Sequence, residues 1–175
     1  IIYAPINKVT GKTDIDELKK LIQSNENLAA IAIPQINSFG CIEDFDDITV
    51  LAHENDLQMI SIVEPISLSN TGLKEPSKWG SGEGADILVA EGQHLTLDPN
   101  YGGPGLGIFG IRYNEKNKSS IRSAAGRFIG KAKDEKGRDC KAIILATREQ
   151  HIRREKATSN ICSNQSFIAT ACGAS

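Results

Sequence analysis

Apolar positions recur along this chain in two rhythms, and the switching between them sets out the elements. Residues 1–4 form a short apolar run that reads as a strand. From Thr13, a residue type that can cap a helix, Ile15, Leu18, Leu21 and Ile22 line one face at helical spacing. Residues 28–33 are continuously apolar and stop at Pro34, as a buried parallel strand does. A second amphipathic helix follows, with Phe45, Ile48, Leu51 and Ala52 inward and acids outward. Residues 57–63 predict the next strand, 80–84 a glycine turn, 86–90 another strand, and 106–113 a strand after a glycine-rich loop. Residues 119–129 predict a short helix, 131–141 a charged hairpin or loop, and 142–146 a last strand. Strands alternating with helices predict an α/β layered domain on a largely parallel sheet.

Composition changes this picture little, because 175 residues of ordinary globular make-up suffice for one cored domain. No apolar run approaches the ~20 residues needed to span a bilayer, so no membrane contact is expected. The start lacks the features of a signal peptide and has no initiator Met. The end, residues 167–175, reads as an apolar helix stopped short. The expectation is a central piece of a longer cytoplasmic protein. Cys41, Cys140, Cys162 and Cys172 form no Cys-x-x-Cys, and His53, His94 and His151 are not at zinc spacing from them. They read as reduced, mostly buried thiols with no metal.

Charge is split although the net is −2. Residues 1–110 carry 6 Lys/Arg against 16 Asp/Glu, and residues 111–175 carry 14 against 6. The basic residues are mixed with acids and few aromatics, which weighs against nucleic acid and favours contact between the halves or with an acidic partner. The cationic part culminates at Arg148, His151, Arg153, Arg154 and Lys156, followed by the helix-capping types Thr158, Ser159 and Asn160. Guanidinium forks and free helix-start N–H groups both attract anions; a salt-bridged surface turn is the alternative.

Other segments carry candidate chemistry. Gly105-Leu-Gly-Ile-Phe-Gly110 matches the dinucleotide fingerprint in letters only, because its glycines sit before or within a strand instead of opening a helix. The loop after residue 33 offers Gln35, Asn37 and Ser38 at the edge where α/β sheets bind ligands; these side chains can equally satisfy their own loop. Glu64 ends the strand at 57–63 and precedes Pro65. A carboxylate there can hold a cationic ligand or cap the next turn.

Three segments combine into a resemblance. They are Val63-Glu-Pro-Ile-Ser-Leu; Gly84-Ala-Asp-Ile-Leu-Val-Ala-Glu-Gly-Gln-His-Leu with Tyr101-Gly-Gly-Pro-Gly-Leu-Gly; and residues 148–165. In this order and spacing they resemble the glycine decarboxylase P-protein family, specifically subunit 1 of its two-subunit form. Ser38-Phe-Gly-Cys-Ile-Glu-Asp and Ala124-Ala-Gly-Arg-Phe-Ile-Gly fit the same family, and the match spans essentially the whole chain.

The resemblance implies a pyridoxal-phosphate-dependent transferase type I fold, aspartate-aminotransferase-like. It is three-layered with a mostly parallel sheet, and residues 1–175 would be one incomplete large domain lacking an N-terminal segment and a C-terminal small domain. It implies a glycine dehydrogenase (aminomethyl-transferring) complex, a heterotetramer that decarboxylates glycine and passes the aminomethyl group to lipoyl H-protein. Such enzymes hold pyridoxal phosphate on a Schiff-base lysine. Gln93 occupies that lysine's place here, and no Lys lies between Glu91 and Glu115. An amide cannot form an imine, so the resemblance implies a non-catalytic subunit 1, an inactive fragment by itself, with the cofactor on subunit 2. Glu64 matches the carboxylate that pairs with the pyridinium nitrogen. His151, Arg153 and Arg154 are the expected anion or interface contacts. Two other classes compete: an independent pyridoxal-phosphate aminotransferase or desulfurase, opposed by the missing lysine, and a dinucleotide oxidoreductase, opposed by the misplaced glycines.

Overall fold

The computed structural model describes residues 1–70, 72–97, 105–124, 127–145 and 165–174. They fall into two compact units, Ile1–Arg112 with Gln165–Ser175, and Tyr113–Asn164.

The first unit is built on a four-stranded sheet in the order β1 (Ala30–Pro34), β2 (Gln58–Val63), β3 (Ile87–Glu91), β4 (Gly107–Ile111). The first three are parallel and β4 runs antiparallel to β3. The sheet is therefore mostly parallel, as expected. Helices α1 (Ile15–Gln23) and α2 (Phe45–Glu54) follow their predicted stripes: Leu18 and Ile22, then Ile48, Leu51 and Ala52, join one core with Ile33, Met59 and Val63. Strand alternation turns Ile62 and Phe109 to the opposite face, where they remain 42% and 49% exposed.

Several local expectations shift. Asp14, not Thr13, caps α1, its carboxylate accepting the Glu17 N–H at 3.1 Å. Thr13 instead donates its N–H to Glu43 Oε2 at 2.9 Å. Residues 1–4 form no strand; Ile1, Ile2 and Tyr3 are exposed and find no sheet neighbour among the described residues. Cys41, Cys140 and Cys172 are in no disulfide among the described residues and are half-buried, not mostly buried; Cys162 lies outside the described residues.

Trp79 fixes the loop between β2 and β3. It is fully buried and stacked on Phe45 at 4.7 Å, and its indole N–H donates to the Lys74 carbonyl at 3.1 Å. An aromatic pair with its polar edge satisfied is a strong anchor. Asp46 tightens the same junction, accepting from Lys74 Nζ and the Gly80 N–H, both at 2.8 Å.

In the second unit, helix α3 (Lys118–Ser123) is shorter than predicted, because the chain enters β5 (Arg127–Lys133). Strand β5 pairs antiparallel with β6 (Asp139–Leu145), so residues 131–141 are a hairpin turn with its flanks. Asp134 closes the turn, accepting the Lys136 and Arg138 N–H groups at 2.9 Å each, with Gly137 at φ +75°. These bonds and the Arg138 guanidinium hold the Asp134 carboxyl below its ordinary range. Helix α4 (Ser166–Ala174), back in the first unit, is the expected apolar terminal helix, with Ile168 buried.

Candidate functional site

The carboxyl edge of the parallel strands, where ligands of open α/β sheets bind, carries a groove of about 460 Å³. Pro34 and Ile36 of β1 and its loop, Ile62 and Val63 of β2 with Glu64 just after it, and Ala90 and Glu91 of β3 line it. The parallel register, Val63 beside Ala90, brings the residues that follow these strands to one place.

Glu64 leads into a short 3-10 turn, Pro65–Leu68. Its carbonyl accepts the Ser67 N–H and hydroxyl, but its side chain makes no capping bond. The carboxylate instead meets His94, with Glu64 Oε1 and His94 Nε2 2.6 Å apart. The ring nitrogen is buried, yet it makes no aligned hydrogen bond among the described residues. The pair is thus a close approach without hydrogen-bond alignment.

His94 and Gln93 lie on a second 3-10 turn, Gln93–Leu95, directly after β3. Glu91 builds that turn. Its Oε1 accepts the Gln93 N–H at 2.8 Å and the Leu106 N–H at 2.6 Å. Those backbone donors, Leu106 foremost, pull the Glu91 carboxyl below its ordinary value. Gly92 adds a backbone bond to the Leu106 carbonyl at 2.7 Å. A Cβ at Gly92 would come within 2.9 Å of Ile108, so the turn seats closely on β4. Helix α4 packs on the same turn.

The loop after β1 is tied to neighbouring segments, although Gln35 Oε1 is buried with no hydrogen-bond partner among the described residues. Gln35 is buried, with Nε2 donating to the Lys74 carbonyl at 2.7 Å. Asn37 spends its amide on the Gly11 carbonyl and Glu43 Oε1, at 2.7 and 2.8 Å. Its Oδ1 accepts the Phe39 and Cys41 N–H groups, at 3.0 Å each. Of the candidate ligand donors, only Ser38 is exposed. The glycines of Gly105–Gly110 lead into and along β4 instead of opening a helix, so the dinucleotide geometry is absent there. His151, Arg153 and Arg154 lie outside the described residues. Sequence reasoning missed His94 as the neighbour of Glu64 and Glu91 as the clamp of the turn. An acid ending a strand, one glycine before a polar pair, was the only signal.

A mostly parallel sheet with this edge belongs to the class of type I pyridoxal-phosphate enzyme large domains. A family described as glycine cleavage system P-protein matches residues 6–174. The chain belongs to the glycine cleavage system P-protein family. Proteins named probable glycine dehydrogenase (decarboxylating) subunit 1 from Nitrosospira multiformis and Nitrosomonas europaea are each 41% identical to it over 171 residues. Each alignment covers 98% of this chain and 36% of the relative, so the chain spans about a third of their length. A crystal structure of glycine decarboxylase (P-protein) of the glycine cleavage system, in inhibitor-bound form, superposes with a TM-score of 0.67 at 32% identity. That match covers 86% of this chain and 32% of the other.

Pyridoxal phosphate, the cofactor this family implies, does not fit the residues at this edge. The carboxylate at the end of β2 already faces His94. No lysine occurs between Lys78 and Lys116, and Lys74 and Lys78 are held by Asp46 and Glu75. Among the described residues no lysine lines this groove.

Proposed function

We propose that this chain is part of subunit 1 of a two-subunit P-protein, the half that carries no Schiff-base lysine. In this reading, pyridoxal-phosphate-dependent glycine decarboxylation and aminomethyl transfer to lipoyl H-protein occur on subunit 2. Both described units then belong to one large domain of a cytoplasmic heterotetramer. The observation that carries the reading is Gln93, followed by a stretch without lysine, where the cofactor's lysine would stand. The subunit 1 names of the relatives support it. His151, Arg153 and Arg154 serve this assembly as anion contacts at the subunit interface, where forked guanidinium groups suit fixed carboxylates or phosphates.

The test is co-purification of the full-length chain with subunit 2, followed by borohydride reduction and mass measurement of each chain. The expected outcome is a cofactor adduct on subunit 2 alone, with glycine decarboxylation requiring both chains. A stoichiometric adduct on Lys116 or Lys118 would overturn the reading.

A further inference from the structure

A missing lysine explains why no covalent bond forms, but not what the strand-end carboxylate does instead. We propose that His94 is a resident plug: its imidazole ring takes the place beside Glu64 Oε1 that a nitrogen heterocycle would need, denying that carboxylate oxygen to pyridine-type ligands. The inference rests on the reading of this chain as the cofactor-free half.

The geometry gives three reasons. First, Glu64 does not cap its own turn, and Oε1 has His94 Nε2 at 2.6 Å, too near for a second ring to reach that oxygen from the same side. Second, the ring is pre-positioned. The turn carrying it is tied by Glu91 to the Gln93 and Leu106 N–H groups, by Gly92 to the Leu106 carbonyl, and is packed under α4. The backbone that carries His94 is thereby held to Leu106, just before β4. Third, Val63 and Ala90 line the groove beside Glu64, an apolar wall on one side of the carboxylate whose Oε1 His94 approaches. Imidazole and pyridine rings are both flat and present nitrogen in the ring plane, so one excludes the other by shape and by chemistry alike.

The test uses the full-length chain without subunit 2, titrated with pyridoxal phosphate and followed by calorimetry and ring absorbance. The unsubstituted chain should show no saturable binding. His94→Ala should bind reversibly and saturably, about tenfold or more tighter than the limit the titration sets for the unsubstituted chain. Adding Glu64→Gln to His94→Ala should abolish that gain, because the ligand then lacks its carboxylate. Should His94→Ala disturb the fold by circular dichroism, His94→Asn, too short to reach Glu64, takes its place. Equal titrations of the unsubstituted chain and the His94 variant, or a gain that survives Glu64→Gln, would overturn the plug. Borohydride treatment of the unsubstituted chain separates the two levels. A covalent mass increase there defeats the cofactor-free reading itself, whereas equal titrations without such a mass defeat only the plug.

Discussion

Asp86 precedes β3 with 4% of its surface exposed, and its Oδ2 accepts the Met59 N–H at 2.9 Å and meets His53 Nε2 at 3.1 Å. The His53 ring also approaches Glu83 at 3.2 Å, an acid far more exposed than Asp86. Removing the inner carboxylate strands a buried donor, which costs about 1–3 kcal/mol. Asp86→Ala should therefore lower unfolding stability by about 2 kcal/mol or more, and Glu83→Ala by less than about 0.5 kcal/mol, as exposed pairs do. Urea titrations of both variants check the ordering; equal losses would contradict it. Glu91 makes a different, pH-linked contribution. Its carboxyl lies below the ordinary 4.5 in the folded chain because Leu106 and Gln93 donate backbone N–H bonds to it. The unfolded chain then binds the proton more readily, so this stabilisation is fully present above the ordinary value. It is lost as pH falls through the lowered folded one. Melting curves between about pH 6 and pH 3 should fall more steeply for the natural chain than for Glu91→Gln. Parallel curves would remove Glu91 from the acid response.

Turns between elements show how local geometry, not composition, decides tolerance. Gly84 has φ +71°, and a Cβ there would run into the Ser77 carbonyl and the Arg112 guanidinium, which are themselves joined at 2.6 Å. Gly82 has φ +94° with open space around it. Gly82→Ala should cost only the backbone penalty, about 1–2 kcal/mol, while Gly84→Ala should exceed it by about 2 kcal/mol or prevent folding. Equal unfolding midpoints for the two variants would refute this. The same distinction separates what was legible in the sequence from what was not. Strands β1, β2 and β3 were readable because they are short, largely apolar runs that pair in parallel, β2 with a parallel neighbour on each side, and α2 because its stripe meets the core directly. Residues 1–4 look equally apolar, but a strand needs an edge to pair with. The helix expected through residue 129 gives way at residue 127 because Arg127–Lys133 finds a partner in Asp139–Leu145 across the Asp134 turn. Pairing outweighs local propensity. At the site, Gln93 was legible as an identity, whereas the Glu64–His94 contact was not. It joins residues 30 positions apart through the register of β2 on β3.

Across the whole molecule, the unfinished surface and the cationic stretch point to assembly. Ile62 and Phe109 leave one face of the sheet half open, Ile36 and Ile66 are exposed near the strand ends, and Phe167 projects from α4. Exposed apolar side chains of this kind drive association, so the 175-residue chain by itself should self-associate; sedimentation as a monomer across concentration would contradict this. Residues 148–156, outside the described residues, raise the other question. Arg153 and Arg154 stand in a segment too charged to form core. Arg153→Ala with Arg154→Ala in the full-length chain should leave the melting temperature within about 2 °C. It should weaken association with subunit 2 or lower glycine decarboxylation. Unchanged assembly and turnover would mean the arginines are merely solvated. A steep fall in melting temperature would mean they pair with buried acids, because removing one partner of a buried pair leaves an uncompensated charge worth about 3–5 kcal/mol. Stability, assembly and turnover measured on one double variant separate an interface role from both alternatives, since only an interface moves the last two while sparing the first.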